Sequence, residues 1–389
     1  MSVTRSTALG LVLLALAACS DDDGPTDTVA LDSGTTDFGM SDFGVSDLGL
    51  PDFGTDMNVT LDAAVDASVD AGTDMPAPPD CVGPPGLYAD VDCTVIASDV
   101  RPFTPRFQLW SDGADKERFV YLPAGTLIDT SNPDRWGFPM GTRVYKTFLR
   151  DGVRLETRIF EKTLAARGVD SWIMRSWLWS EDQRSVTEVG PFGEQNVLGT
   201  THDIPTRSGC IECHSAANDD VVMGFSAIQL AHAGPGVTLE DLVADGWLSD
   251  PIAMADTQIP GDATAQAALG YLHANCGNCH GGPSPERGLD LWQHVGPAGA
   301  LESAPAFTSS VCVCSEWVTT TAGGDPVELR IFPSESERSV IAHRMGSRVL
   351  NTRMPPIASE EVDTDGRALV MDWIDSLASD AGGCPTVCP

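Results

Sequence analysis

The chain has 389 residues and a formal charge of −33, from 23 basic and 56 acidic side chains. So acidic a balance speaks against a phosphate backbone as ligand, and no nucleic-acid partner is expected.

Arg5 supplies a short basic region, and Ala8 to Ala18 is an apolar run of eleven residues, too short to span a bilayer. It ends in Leu16-Ala17-Ala18-Cys19, which resembles the lipobox of bacterial lipoproteins. The resemblance implies a signal peptide over 1–18 and acylation of Cys19, with two or more acyl chains giving stable anchoring. The alternative is an ordinary signal peptide with an incidental cysteine. Ser20 stands where an aspartate would favour inner-membrane retention under enteric sorting rules, so the expected location is the outer membrane.

Residues 19–80 are expected to form a disordered, Asp-rich tether. Asp37-Phe38-Gly39, Asp42-Phe43-Gly44, Asp47-Leu48-Gly49 and Asp52-Phe53-Gly54 repeat every five residues, and Asp62, Asp66, Asp70 and Asp74 every four. No lysine or arginine lies between Arg5 and Arg101, so fifteen aspartates are unpaired in a segment too polar to offset its ordering entropy. As a coil it would average about 40–50 Å end to end. Without these aspartates and Arg5, 22 basic and 41 acidic residues remain, a net −19 that would steer a basic redox partner.

Residues 81–207 read as a β-rich, sandwich-like or barrel module. A strand over Arg143 to Arg150 leads into Asp151-Gly152, a type I′ hairpin signal. Beyond it Val153, Leu155, Thr157 and Ile159 alternate with Arg154, Glu156 and Arg158, as in a half-buried strand. Trp172 to Trp179 reads as another strand, turned by Ser180 to Gln183 towards Arg184–Val189, with Trp172, Trp177 and Trp179 expected in the core.

Two CxxCH pentads follow, Cys210-Ile211-Glu212-Cys213-His214 and Cys276-Gly277-Asn278-Cys279-His280. Cysteines three apart can form thioethers to both vinyl groups of one haem, and the next histidine then reaches the iron. Two covalently bound haems c are therefore expected, with His214 and His280 as metal ligands. The sixth ligand of the first is open: Met223, Met254, Met345, His232, His343 or none. His202, His273 and His294 read as bland surface or helix histidines.

One cysteine for lipid and four for haem leave six of eleven, an even number that reads as disulfides in an oxidising compartment. Cys81 pairs most simply with Cys93, and Cys312 and Cys314 with Cys384 and Cys388 in an order that spacing leaves open. A second metal site made by those four is the competing reading.

No clear helix precedes Cys210, but Ala263 to Ala274 is helical in pattern and enters Cys276, while Val362, Leu369, Trp373, Ile374 and Leu377 form the stripe of a terminal helix. Residues 261–380 thus resemble a class I cytochrome c domain, in which two such helices cross; Gly270-Tyr271 and Trp373 match the crossing positions in type. Arg353-Met354-Pro355-Pro356 resembles the ligand loop of small bacterial cytochromes c, which implies Met354 as sixth ligand of the second haem.

Over residues 100–380 the chain also resembles exported bacterial dihaem c-type cytochromes with a β-rich N-terminal module. The matching phrases are Leu109 to Lys116, Trp136 to Thr142, Gly224 to Leu230, Tyr271 to Cys276 and Arg353 to Pro356. The implied fold class is α+β, a β module followed by a mainly helical region whose first haem lies in 208–260. The expected role is electron transfer in the cell envelope. The alternative is a haem enzyme, peroxidase-like or another oxidoreductase, with an open first haem fed by the second.

Overall fold

Six strands form an antiparallel meander, each paired with its neighbour in sequence: β1 (Arg101–Pro102), β2 (Asp115–Tyr121), β3 (Arg143–Arg150), β4 (Val153–Lys162), β5 (Trp172–Trp179) and β6 (Val186–Glu188). In the computed structural model the described residues are 80–215, 220, 222–281, 288–379, 383–385 and 388. The leader, Cys19 and the tether up to residue 79 lie outside them. No helix among the described residues is long and apolar enough to cross a membrane.

The β3–β4 link is the two-residue turn Asp151-Gly152, with φ of 51° and 78°, both positive as a type I′ turn requires. The expected sandwich or barrel is corrected to a single six-stranded sheet, covered by segments that are not a second sheet. Phe119, Tyr145 and Ile159 on one face pack under Leu87 and Val100. On the other face Val120, Phe160 and Trp172 meet Phe225, Leu230 and Leu239. Period-two patterning identifies a face to be covered, not what covers it, which is why the layer count was misread. Trp172 and Trp179 are core residues: they are buried, and their ring N–H groups donate to Asp220 and to the Thr157 hydroxyl at 3.0 Å.

β4 departs from the half-buried pattern. Glu156 and Thr157 are both fully buried, so neither face of its middle is solvated.

The helices are short except at the end: α1 (Arg207–His214), α2 (Ala227–Leu230), α3 (Leu239–Ala244), α4 (Ala263–Asn275), α5 (Pro305–Thr308), α6 (Val340–Gly346) and α7 (Thr364–Ser376). A two-stranded ribbon, β7 (Cys314–Thr320) and β8 (Pro326–Leu329), precedes α6. The combination is that of an α+β fold. Helices α4 and α7 share a core in which Leu269 and Leu272 meet Val370, Trp373 and Ile374. The Tyr271 ring of α4 packs on Gly366 of α7, where an added Cβ would stand 2.2 Å from it. The Tyr271 hydroxyl donates to Asp363, the N-cap of α7, at 2.9 Å. Of the residues matched to the crossing in type, Tyr271 and Trp373 join the two helices, whereas Gly270 accommodates Phe107.

The described residues from Asp80 onward fall in one unit. Segment 222–248 shares its core with the sheet rather than forming one of its own.

Three disulfides are present: Cys81–Cys93, Cys312–Cys384 and Cys314–Cys388. The first closes the predicted local loop, and the other two resolve the order that spacing left open, tying the β7 ribbon to the C-terminal segment. Replacement of Cys312 by serine is therefore expected to free the Cys384 thiol for alkylation while Cys388 stays bridged. Mass mapping of a labelled Cys388 in that variant would reverse the assigned connectivity.

Candidate functional site

The first pentad is carried entirely on α1. Thr206 caps this helix, its hydroxyl accepting from the Gly209 N–H at 3.1 Å, and Cys210 and Cys213 lie one turn apart. The expectation of no helix at this site is thereby refined: none precedes Cys210 at length, but the pentad is itself helical. The second pentad follows the C-terminus of α4. There the Cys276 carbonyl accepts from the backbone N–H groups of Cys279 at 3.1 Å and His280 at 2.7 Å, turning the histidine back towards the helix end.

Each pentad borders a cleft. The first cleft has a volume of about 500 Å³ and is bordered by Cys210, Cys213, His214, Met223, Trp110 and Lys146. His214 stands edge-on to Phe160 of β4, with centroids 4.6 Å apart. The second cleft has a volume of about 420 Å³, and Cys276, His280 and Met354 border it together with Leu272, Leu291 and Ile341. Asn278 and Cys279 of the second pentad, and Pro355 and Pro356 beside Met354, also border the first cleft. The two pentads meet there, because the Cys213 and Cys279 thiols are hydrogen-bonded to each other.

That contact and burial push the Cys213 thiol up, and burial pushes Cys276 up to about 12. Burial likewise raises Cys210. These are not the lowered thiols of a reactive dithiol. Among the described residues no three His, Cys, Asp or Glu side chains converge to hold a bare metal ion. A haem fits the donor set better: Cys210, Cys213 and His214 border the first cleft, and Cys276 and His280 border the second, with Cys279 at the junction where the pentads meet. The indole N–H of Trp110 at the first cleft is also buried without a hydrogen-bond partner.

Of the five candidates for the first sixth ligand, only Met223 borders the first cleft. Both ring nitrogens of His232 are engaged, by the Thr104 carbonyl at 2.6 Å and the Gly234 N–H at 2.7 Å. His343 bonds the Glu337 carbonyl at 2.7 Å, and Met254 packs against the core around the sheet. Met345 borders the second cleft, as Met354 does. Met354 sits in a loop held by its own N–H donating to the Arg344 carbonyl at 3.0 Å.

The three histidines read as bland are corrected. His202, 3 % exposed, bonds Glu156 at 2.8 Å. Burial would raise the Glu156 carboxyl, but Arg158 and His202 outweigh it and hold it at about 2. His273 is buried behind the second pentad, where desolvation lowers it to about 4 and its neutral Nδ1 accepts from the Gln293 N–H at 3.1 Å. His294 bridges Asp134 at 3.1 Å and Asp290 at 3.4 Å, and these carboxylates raise it to about 9. It thereby links the loop before the sheet's third strand to the segment following the second pentad. The overlooked signal was charge density, since β2, β3 and β4 each carry two or three cations.

Glu156→Gln would leave Arg158 and His202 without a buried counter-charge, and a loss of about 3–5 kcal/mol in chemical unfolding is expected. Because the folded carboxyl lies below its ordinary 4.5, its contribution is complete above that pH and fades as pH falls towards about 2. The variant should therefore lose less stability than the parent on acidification from pH ~5 to ~3. Equal acid sensitivity in the two proteins would refute the assigned ionisation.

Comparison of the chain with protein-family models, curated proteins and solved structures found no match, so the functional argument rests on the two clefts and the residues that border them.

Proposed function

We propose that the protein is a dihaem c-type cytochrome, anchored through Cys19 in the cell envelope, most simply at the outer membrane, and that it passes electrons singly between partner proteins. Cys210, Cys213 and His214 would hold one haem, and Cys276, Cys279, His280 and Met354 the other. A bound haem supplies one-electron exchange at iron. The observation that carries this reading is the meeting of the pentads at one cleft through Cys213 and Cys279. Prosthetic groups bonded to touching side chains are neighbours, as electron passage between them needs.

The chain's own contribution is to hold, insulate and tune. Leu272, Leu289, Leu291, Val340 and Ile341 keep water from the second cleft, and a thioether ligand from Met354 raises the reduction potential. His280 and Met354 together would leave the second haem no place for an exogenous ligand, and Met223 would do the same beside His214. The acidic surface favours a basic protein partner, approaching faster at low ionic strength.

A second reading, an enzyme with an open first haem, draws support from one observation. The first cleft is the larger, and a single candidate ligand, Met223, borders it. Reduced holoprotein separates the two readings. The carrier is expected to be wholly low-spin and inert to carbon monoxide, whereas a high-spin fraction that binds it would favour the enzyme.

In Met354→Ala the weak long-wavelength absorption of methionine-ligated ferric haem should disappear and the potential of one centre should fall. Met345→Ala should retain both. If the two variants exchange these behaviours, Met345 is the ligand.

A further inference from the structure

Arg118 of β2, Lys146 of β3 and Arg158 of β4 are direct cross-strand partners, three cations in one row across three strands. Like charges in directly opposed positions destabilise a sheet. Here they also lie away from bulk water: Arg118 is 6 % exposed, and the Arg158 side chain 14 %. Lys146 is half-buried, and what surface it shows turns into the first cleft and two small chambers beside it. One chamber is bordered by all three cations together with His214 and Met223.

The carboxylate paired with this row is Glu156, already shared between Arg158 and His202, while the buried Asp220 on the same face is taken by Lys162 and Trp172. Among the described residues the side chains of Arg118 and Lys146 have no hydrogen-bond or carboxylate partner; Lys146 rests 4.7 Å over the Phe148 ring. Desolvation lowers Arg118 to about 10, and desolvation with repulsion from Arg118, Lys116 and Arg158 pulls Lys146 well below its ordinary value. A buried positive charge without a partner is costly, so a row of them facing a cavity is an unfilled demand for anionic oxygen.

We infer that Arg118, Lys146 and Arg158 form a buried anion seat where the first cleft, bordered by Lys146 and Arg158, adjoins the chamber that all three border, and that it is occupied by the propionate carboxylates of a haem attached at Cys210 and Cys213. The inference rests on the dihaem reading and adds to it what neutralises the cofactor. A porphyrin bonded through its vinyl groups carries its two propionates on another edge. Fixing it at α1 therefore requires the same cleft to accept two negative charges. Arginine offers forked donors matched to carboxylate oxygens, and Lys146 a point charge between them. The row that weakens the empty sheet becomes an attractive cluster once the carboxylates arrive.

The test uses holoprotein from a host competent in cytochrome maturation, with Lys146→Gln, Arg118→Gln and the charge-preserving Lys146→Arg. A cation near iron disfavours the ferric state, so its removal favours oxidation. Each glutamine variant should shift the one-electron equilibrium of the first centre about tenfold towards the oxidised form, about 59 mV. The centre sensitive to Met354→Ala should stay in place, and Lys146→Arg should restore the parent value. Inorganic phosphate at millimolar concentration should leave the parent spectrum and potentials unchanged. A phosphate response lost in Lys146→Gln would assign the seat to a free oxyanion and overturn the propionate assignment. Unmoved potentials with both haems attached would overturn this inference alone. Absence of haem mass at the first pentad would overturn it together with the dihaem reading.

Discussion

Glu156 lies wholly buried between Arg158 and His202, on the face of the six-stranded sheet that turns towards the first pentad. This contact decides how a strand rich in charge can be internal at all. A buried carboxylate is tolerable only when paired, and here it compensates one of three aligned cations and orients a histidine. The remaining positive charge is left facing the first cleft. The sheet is thus more than a scaffold, because the cationic part of this face forms a wall beside the first pentad.

The rest of the cleft is assembled by contacts that span the chain. Asp112 accepts from the Glu361 N–H at 2.8 Å, and Arg150 pairs with the Glu361 carboxylate at 3.2 Å. Asn275, the last residue of α4, accepts from the Trp110 N–H at 2.7 Å. His294 joins Asp134 to Asp290 from the other side. These ties bind the strand module to both helices that enclose the second pentad. The separation of the two pentads is consequently set by a hydrogen-bonded frame and not by a loose linker. Under the proposed electron-transfer role this would matter, because electron passage depends on how far apart two centres are held.

The phrases that carried the resemblance to exported dihaem cytochromes acquire a physical meaning in this frame. Leu109 to Asp112 borders the first cleft, Asn275-Cys276 joins it to α4, and Pro355-Pro356 borders the first cleft while Met354 borders the second. These three lie where the clefts and their joints are made, whereas Trp136 to Thr142 and Gly224 to Leu230 contribute to the core beside the sheet.

Local signals were legible without coordinates. The two pentads, the Asp151-Gly152 turn, the strand from Trp172 and the helices entering Cys276 and ending the chain all depend on residues within a few positions of each other. So does the Cys81–Cys93 bridge. Long-range pairing was not legible, because period-two alternation marks a face of β4 without saying whether water or protein will cover it. For the same reason Met223 could not be separated from Met254 or His232, nor His202 recognised as the partner of Glu156. The sequence by itself determined the chemistry available, two thiol–thiol–imidazole sets and a methionine. Tertiary structure alone decided that the sets touch at Cys213 and Cys279 and that a row of cations looks into their cleft, since both follow from strand register and helix packing between distant segments.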